Sequence, residues 1–311
     1  KRNYGRCLYC NNRKGDKRMI LFAKRNLKLF FRDKSSVFFS LLAVLIVIGL
    51  YAFFLGNQLV NSFDNVSGIK IEGTKFLMDS WLIAGILAVT SISTTLGAFG
   101  VIVDDKAKKI EKDFRCSPIS RSSIAGGYII SAFVIGVIMS VIAFAVGELY
   151  IVASGGEILP FVSILKVLGM ILLTVLAGSS MMFFVVSFFS STNAFATAST
   201  VIGTLIGFIT GIYIPVGSMP ESVATVVKIF PISHAASIFR KIFMEVPFER
   251  SFDGVPAMVS DVAIPSIREE LGVDFTIGSW EVSTLASILI LIATSILFYV
   301  LGIAVISRKK R

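Results

Sequence analysis

Residues 167–220 read VLGMILLTVLAGSSMMFFVVSFFSSTNAFATASTVIGTLIGFITGIYIPVGSMP and contain no charged side chain. These 54 residues are too many for one buried element. They match two membrane crossings, because a bilayer core about 30 Å thick takes about 20 apolar helical residues per crossing. The polar residues 190–193, Ser-Ser-Thr-Asn, lie between the two halves and predict a tight hinge. The stretch therefore indicates an integral membrane protein.

Four further charge-free stretches are long enough to cross a bilayer, and the composition agrees with them. The chain is 55% hydrophobic and 16% charged, whereas a soluble domain is about a quarter charged. Each crossing is expected to be helical, because lipid offers backbone N–H and C=O groups no partners. Together with the pair in 167–220 they make six predicted transmembrane helices. The four stretches are residues 37–56, 80–103, 122–147 and 282–307.

Lysine and arginine are distributed unevenly between the two predicted sides of the membrane. One side holds residues 1–36, 104–121 and 308–311 and carries 22 of them, whereas the other carries 7, in residues 57–79 and 221–281. The positive-inside rule therefore predicts a multi-pass protein of the cell membrane (plasma or inner membrane) with both termini in the cytoplasm. We interpret the net charge of +10 as topological and lipid-facing rather than as a nucleic-acid footprint.

The sequence offers little for catalysis or for ion-coupled transport. The predicted crossings contain no Asp, Lys, Arg or His, which argues against a proton- or sodium-coupled pump and against a voltage-gated channel. His234 is the single histidine, so a His-Glu-x-x-His zinc site is impossible, although triad partners for His234 stay open. Neither a Gly-x-x-x-x-Gly-Lys-Ser/Thr phosphate loop nor a Gly-x-Ser-x-Gly elbow occurs. We expect no catalytic, cofactor-binding or metal-binding residues in this chain, and we expect the energy for transport to come from a separate ATPase.

Residues 17–36 are predicted to form an amphipathic elbow helix before the first crossing. Apolar residues recur there at helical spacing between lysines and arginines, as in a helix that lies in the membrane interface. A plain positive-inside anchor and a helix packed against a cytosolic partner are the two alternatives for its role. The apolar residues are Met19, Ile20, Phe22, Ala23, Leu27, Phe30 and Phe31.

Residues 104–121, DDKAKKIEKDFRCSPISR, form a short charged segment between the second and third predicted crossings. We expect a helix as far as about Cys116, a stop at Pro118, and Ser120 or Ser122 as the cap of the next helix. A rigid helix in this place can transmit the motion of a partner into two crossings at once. The alternative is a solvated loop whose charges only fix the topology.

The segment resembles the loop between the second and third spans of type-2 ABC exporter permeases, where a helix leads into a Ser-Pro-x-Ser/Thr-Arg turn. In that family the helix is a coupling helix that docks on the nucleotide-binding subunit. Lys108-Lys109 stands where many members carry Gly-Thr. The matching residues are Asp105, Ile110, Glu111, Phe114, Ser117, Pro118, Arg121 and Gly126. The resemblance implies coupling to an ATPase through Glu111, Phe114, Arg115, Ser117, Pro118 and Arg121.

A second match to the same family lies in residues 211–243, GIYIPVGSMPESVATVVKIFPISHAASIFRKIF. Pro215, Pro220, Pro231, His234 and Arg240 follow the family pattern of a proline-rich exit, a short helix, and Pro-x-x-His/Tyr with a later Arg. The resemblance implies a pair of extracellular re-entrant helices with an outer gate at Pro231, His234 and Arg240. Proline at 231 is expected to separate the two helices. We interpret His234 as structural rather than catalytic.

Gly203, Gly207 and Gly211 recur every four residues in the fifth predicted crossing. Such a row lets another helix approach closely. The row is interpreted as a helix-packing surface, either against another span of the same chain or against a second copy. In the family the pore forms between two permease halves, so both can hold.

Three cysteines are present, and none is expected in a metal site or a disulfide. Cys7 and Cys10 form a single Cys-x-x-Cys and Cys116 is the third, whereas a structural zinc needs four ligands. All three lie on the predicted cytoplasmic side, where thiols stay reduced.

The expected architecture is an all-α integral membrane protein with six transmembrane helices. It divides into a basic tail (1–16), the elbow (17–36), transmembrane helices 1–5 with the coupling helix at 104–121 (37–217), the extracellular re-entrant helices and loop (218–281), and transmembrane helix 6 with a cytoplasmic tail (282–311).

The expected function is that of the permease subunit of an ATP-driven ABC exporter for a hydrophobic or amphipathic substrate. Its expected partners are ABC ATPase subunits that bind ATP and Mg, a second permease copy or paralogue, and membrane lipid. The alternatives are a non-transporting scaffold or sensor and, less in keeping with the apolar spans, a channel.

Overall fold

The computed structural model describes residues 4–55, 73–116, 119–253, 257–278 and 280–308. These residues are almost entirely helical. A π-helical turn, Tyr51–Leu55, follows the second helix, and a 3₁₀ turn, Val216–Ser218, precedes the ninth. The elements are α1 (Tyr4–Arg32), α2 (Lys34–Leu50), α3 (Thr74–Ala98), α4 (Gly100–Ala107), α5 (Ile110–Cys116), α6 (Arg121–Ala153), α7 (Phe161–Val186), α8 (Thr192–Ile209), α9 (Glu221–Ile229), α10 (Pro231–Phe243), α11 (Glu245–Ser251), α12 (Ala257–Glu270), β1 (Thr276–Ile277), β2 (Trp280–Glu281) and α13 (Thr284–Arg308).

Five of these helical segments are long and apolar enough to cross a membrane, and two bent helix pairs raise the number to seven if each pair is one span. The bends are 71° between the last part of α1 and α2, and 86° between α9 and α10. The protein is thus an all-α, multi-pass membrane protein, and the range of five to seven includes the six predicted crossings. The five segments are Thr74–Ala107, Ser123–Ala153, Phe161–Val186, Thr192–Ile209 and Thr284–Val305.

The hinge predicted at residues 190–193 is confirmed, because α7 ends at Val186 and α8 begins at Thr192. Other helix ends differ from the charge-free stretches. The second stretch was drawn from residue 80, whereas α3 begins six residues earlier and contains Asp79. The predicted crossings were ended at the first charged residue. Such a rule makes a helix too short wherever a charged side chain near the helix end is accommodated by hydrogen bonds.

Helix α3 lies at the centre of the bundle and packs against α6, α7 and α10. Hydroxyl side chains are concentrated in its middle, at residues 90–95. Burial of such groups in an apolar core is unfavourable unless they are hydrogen-bonded. Each of these hydroxyls donates to a carbonyl three or four residues earlier in the same helix, so every donor of the run is paired within the helix. The bonds are Thr90 Oγ1 to Ile86 O, Ser91 Oγ to Leu87 O, Ser93 Oγ to Thr90 O, Thr94 Oγ1 to Thr90 O and Thr95 Oγ1 to Ile92 O.

Gly136 is the point at which α6 approaches both α3 and α7. A Cβ atom on this glycine would lie 2.7 Å from Thr95 Cγ2 and 2.7 Å from Val175 Cγ1. Both neighbours are β-branched and therefore stiff at χ1. The missing side chain at 136 thus sets the distance between the three helices.

We expect Gly136→Ala to destabilise the bundle by about 1–3 kcal/mol, the usual range for overpacking a tight contact. Thermal unfolding of the purified protein in detergent, followed by tryptophan fluorescence, measures the loss. Gly169→Ala in α7 is the matched control, since no atom of the residues that the structure describes lies within 4 Å of the Cβ it adds. Equal unfolding midpoints for the two variants would contradict this account of the packing.

Candidate functional site

Helix α1 is seated on the beginning of α6 at two consecutive glycines. A Cβ atom on Gly126 would lie 2.6 Å from Met19 Sδ, and one on Gly127 would lie 2.7 Å from the ring of Phe22. The glycines therefore let the apolar face of α1 approach the backbone of α6. Phe22 and Phe30 are buried in this contact.

An ion pair joins α1, α4 and α6 at the same place. Arg25 Nη1 and Nη2 donate to Asp105 Oδ2 and Oδ1 at 2.8 and 3.0 Å, a bidentate pair. Tyr128 of α6 donates its hydroxyl to Asp105 Oδ2 at 2.5 Å. The Asp105 side chain is 5% exposed and that of Arg25 is 32% exposed, so the carboxylate depends on these donors more than the guanidinium depends on its acceptor.

The ring of Phe114 attaches the short helix α5 to this ion pair. It stands edge-on to Phe22 with ring centroids 5.0 Å apart, and the Arg25 guanidinium carbon lies 5.0 Å from its centroid. Phe114 was predicted as a contact to a partner ATPase. The structure places its ring inward, where it holds α5 against α1. We call this cluster of Phe22, Arg25, Asp105, Phe114 and Tyr128 the junction.

Helix α5 leaves the line of α4 at a left-handed residue. Lys109 has φ of 61°, a conformation that glycine adopts freely and that costs other residues about 1–2 kcal/mol. Lys109 is the second residue of the Lys108-Lys109 pair, so it stands where many permeases carry the threonine of Gly-Thr; Lys108, at the glycine position, has φ of −81°. Lys112 and Asp113 of α5 are exposed. The helix thus presents a charged outer face while Phe114 anchors its inner face.

The predicted carboxyl end of the coupling segment agrees with the structure, but its start does not, because residues 104–107 continue α4 and α5 begins only at Ile110. Helix α5 ends at Cys116, and α6 begins with Ser120 as its N-cap, whose hydroxyl accepts from Ser123 N at 3.2 Å. Ser117 and Pro118 lie outside the described residues. The backbones of three further predicted coupling residues are helical, but their side chains fall outside the described part of the chain; these are Glu111, Arg115 and Arg121.

The junction end of the bundle also reaches the turn between α7 and α8. Lys106 Nζ donates to the carbonyl of Phe189 at 3.2 Å. The turn at residues 187–191 therefore lies at the same end of the bundle as α4 and α5.

The predicted gate residues lie on α10, which is buried along most of its length. Pro231 is the first residue of the helix, as expected from its fixed φ and missing N–H. His234 is 1% exposed; its Nδ1 lies 3.1 Å from Ser287 Oγ of α13, and its ring stands edge-on to Phe275. This environment of packing and hydrogen bonds, to Ser287 and the Lys228 backbone, is typical of a structural histidine.

Arg240 is fully buried and joins α10 to the end of α8. Its Nη2 donates to the carbonyls of Thr210 and Gly211 at 2.8 and 3.0 Å, and its guanidinium carbon lies 5.0 Å from the ring centroid of Trp81. Within the described part of the chain, Arg240 Nε and Nη1 have no hydrogen-bond partner. A cation at the carboxyl end of α8 opposes the negative end of the helix dipole. Arg240 therefore closes α8 and aligns it with α10.

A charge network holds the far end of α10 to the segment after α12. Asp274 accepts from Lys241 Nζ at 2.9 Å and from Arg268 Nε at 2.6 Å. Burial raises the pKa of the Asp274 carboxyl, but the hydrogen bonds and charges of the two cations outweigh it and hold that pKa below its ordinary value. The bridge therefore stabilises the fold at neutral pH and is lost as the pH falls through the lowered pKa.

The glycine row of the fifth predicted crossing packs only in part within the chain. Among the described residues, no atom lies within 4 Å of a Cβ added at Gly203, whereas a Cβ at Gly207 would overlap the ring of Tyr213. Gly211 lies beyond the end of α8 with φ of 67°, so it does not continue the helical row. It is the left-handed residue that ends the helix.

Arg25 and Tyr128 belong to the junction, although sequence reasoning did not single them out for it. Arg25 was counted among the charges of the elbow, and Tyr128 was taken as part of an apolar crossing. The available signal was Asp105, a carboxylate directly after a long apolar run, since such a group needs a cation or hydroxyl donors at the end of a span.

Comparison with known proteins identifies one family. A family model described as "ABC-2 family transporter protein" matches residues 75–304. The match confirms the resemblance seen in residues 104–121 and 211–243. No curated protein matches the chain.

We expect Arg25→Met to destabilise the protein by about 3–5 kcal/mol, because it leaves the buried Asp105 carboxylate without its cation. Asp105→Asn is expected to cost less, since the partly exposed Arg25 can turn toward water. Thermal unfolding midpoints measure both.

Asp104→Asn is the control for the same experiment. Asp104 bridges Lys108 through side chains that are 51% and 65% exposed, and such surface pairs contribute about 0–1 kcal/mol. If Asp104→Asn lowers the midpoint as much as Asp105→Asn, the ion pair at the junction is not a stabilising contact.

Proposed function

Because the chain belongs to the ABC-2 family of transporter proteins, we propose that it is the permease subunit of an ATP-driven exporter, moved by ATPase subunits at the junction. The observation that carries the proposal is the placement of α5. This short helix has a charged, exposed outer face, and its inner face is tied through Phe114 and Arg25 to helices that run the length of the bundle.

The contacts define how a push on α5 would travel. A displacement of α5 would move α1 through the contacts of Phe114 with Phe22 and Arg25. It would move α6 through the hydrogen bond between Asp105 and Tyr128. Because Asp105 lies in the same helical segment as α3, Thr74–Ala107, the push also reaches the centre of the bundle. ATP binding by the partner would close the ATPase pair, displace α5 and part the outer ends of the permease halves.

The energy source lies in the partner in this proposal. ABC-2 permeases are the membrane components of their transporters and not the ATPases, and this sequence has no phosphate loop. The complex contains ATPase subunits that bind ATP and Mg, together with a second permease copy or a paralogue. The substrate is hydrophobic or amphipathic, since the spans offer mostly apolar walls.

Six crossings with α5 in the cytoplasm account for the contacts at both ends of the bundle. At the α5 end, Lys106 reaches the turn after α7. At the opposite end, Arg250 pairs with Glu157 at 2.7 Å and Lys166 with Glu245 at 3.7 Å. These pairs join the loop after α6 and the start of α7 to the region after α10, which supports a topology of six crossings. The lysine and arginine bias supports the same orientation.

In this topology α1 is the interfacial elbow and α9 with α10 is the re-entrant pair. The 86° bend between α9 and α10 and the buried surface of α10 support a helix that returns into the bundle. Arg240 and the Asp274 bridges hold α10 in place. Outward opening would separate this unit from its neighbours at the outer gate.

Uncoupling at the exposed face of α5 is the direct test. We expect the charge reversal Lys112→Glu with Asp113→Lys to abolish copurification of the ATPase while the unfolding midpoint stays unchanged, because both side chains are exposed. Glu221→Lys, an equally exposed reversal at the opposite end of the bundle, is the control. A scaffold that recruits no ATPase would show no copurification even for the wild type.

Phe114→Ala separates transmission from docking. We expect the ATPase to remain bound while stimulation of ATP turnover by substrates in the reconstituted complex falls about fivefold or more, since an aromatic contact worth about 1 kcal/mol or more is lost between α5 and α1. Full stimulation in this variant would remove Phe114 from the transmission path.

Orientation is tested by labelling in intact cells. In a chain with Cys7, Cys10 and Cys116 replaced by serine, we expect a membrane-impermeant maleimide to label Glu221→Cys and to leave Lys112→Cys unlabelled until the cells are opened. Labelling of Lys112→Cys in intact cells would place α5 outside and end the proposal.

A further inference from the structure

Asp79 lies on α3 at the end of the bundle opposite the junction, and it is a buried carboxylate on which the exposed Lys75 acts electrostatically, without a salt bridge among the described residues. Its exposure is 1%. Tyr150 of α6 donates its hydroxyl to Asp79 Oδ1 at 3.2 Å, and Ser154 lies beside both groups. Among the described residues no salt bridge includes Asp79, and Lys75, one turn earlier, is exposed.

Tyr51 supplies an independent observation at the same place. It is 2% exposed and begins the π-helical turn after α2, a type of turn that often occurs at functional sites. Its hydroxyl lies near enough to Asp79 and Tyr150 to interact with both electrostatically. Yet this hydroxyl has no hydrogen-bond partner among the residues that the structure describes. A buried hydroxyl is seldom left unpaired unless another group occupies its place in some state.

The surroundings favour a positively charged occupant. A buried carboxylate is strongly unfavourable unless it is paired and hydrogen-bonded, and two hydroxyl donors satisfy it only in part. Aromatic rings beside a carboxylate attract an organic cation through their π faces. Tyr51 belongs to the same buried apolar cluster as Ile48 and Leu82. A metal ion is disfavoured, because no group of three His, Cys, Asp or Glu occurs in the described part of the chain.

We propose that Asp79, Tyr51 and Tyr150 form a binding site for a lipophilic organic cation, an amphiphile that carries an ammonium or similar head group. In this proposal the site is reached at the carboxyl end of α6, where Tyr150 and Ser154 are half-buried. The inference rests on the proposed transport function in one respect, since it assigns the substrate class. The carboxylate neutralises the head group, the rings contact it, and the apolar neighbours hold the tail.

Binding of tetraphenylphosphonium to the purified full-length chain in detergent is the test. This probe keeps its charge at every pH and has no proton to lose. We expect saturable binding to the wild type, binding about tenfold weaker for Asp79→Asn, and a smaller loss for Tyr51→Phe. Asp104→Asn removes an exposed carboxylate at the opposite end and is expected to bind as the wild type does. Neutral triphenylphosphine oxide is expected not to compete.

Two results would overturn the inference. One is the absence of saturable binding to the wild type, which would leave Asp79 as a carboxyl group that holds a proton only. The other is equal binding by wild type and Asp79→Asn. If Asp79→Asn fails to fold, binding of tetraphenylphosphonium to Tyr51→Phe is the deciding measurement, because this variant removes a single unpaired hydroxyl. Binding equal to that of the wild type would then also overturn the proposed site. ATPase copurification depends on α5 and not on Asp79. A negative result for tetraphenylphosphonium binding would therefore overturn the binding site without deciding the proposed permease function.

Discussion

The bidentate pair between Arg25 and Asp105 is the constraint on which the arrangement of this protein depends. The pair is formed between α1 and the end of the most buried helical segment, Thr74–Ala107, and Tyr128 of α6 adds a third element to it. Without the guanidinium, the carboxylate at the end of α4 would be buried beside one hydroxyl. The glycines at 126 and 127 are required for the same reason, because they let α1 approach closely enough for the pair to form.

The central helix then connects two chemically different ends. Thr74–Ala107 carries Asp105 in the junction and Asp79 near its beginning, 26 residues apart, which is about 39 Å along a helix that rises 1.5 Å per residue. One carboxylate is neutralised by a residue of the same chain. The other is surrounded by hydroxyl and aromatic groups that a ligand can complete. This difference suits a protein that is driven at one end and loaded at the other.

Much of this architecture could be predicted from the sequence, because charge-free runs and the Lys/Arg bias report directly on lipid and water. The hinge between α7 and α8, the stop of α5 at Cys116 and the Ser120 cap follow from local chemistry. The junction could not be predicted, since the contact between Arg25 and Asp105 joins residues 80 positions apart. Asp79 was missed because a buried charge whose partners are hydroxyl groups leaves no pattern in composition. Phe114 was identified, but only the packing showed that its ring faces inward.

The hydroxyl run at residues 90–95 has a mechanical consequence. Serine and threonine side chains that donate back to their own helix compete with the backbone for the same carbonyls and ease local bending. The run lies between Asp79 and Asp105, so the most buried helical segment of the protein bends most easily near its midpoint. A tilt imposed at one end need not reach the other at the same angle, because the middle turns can flex while every polar group keeps its partner.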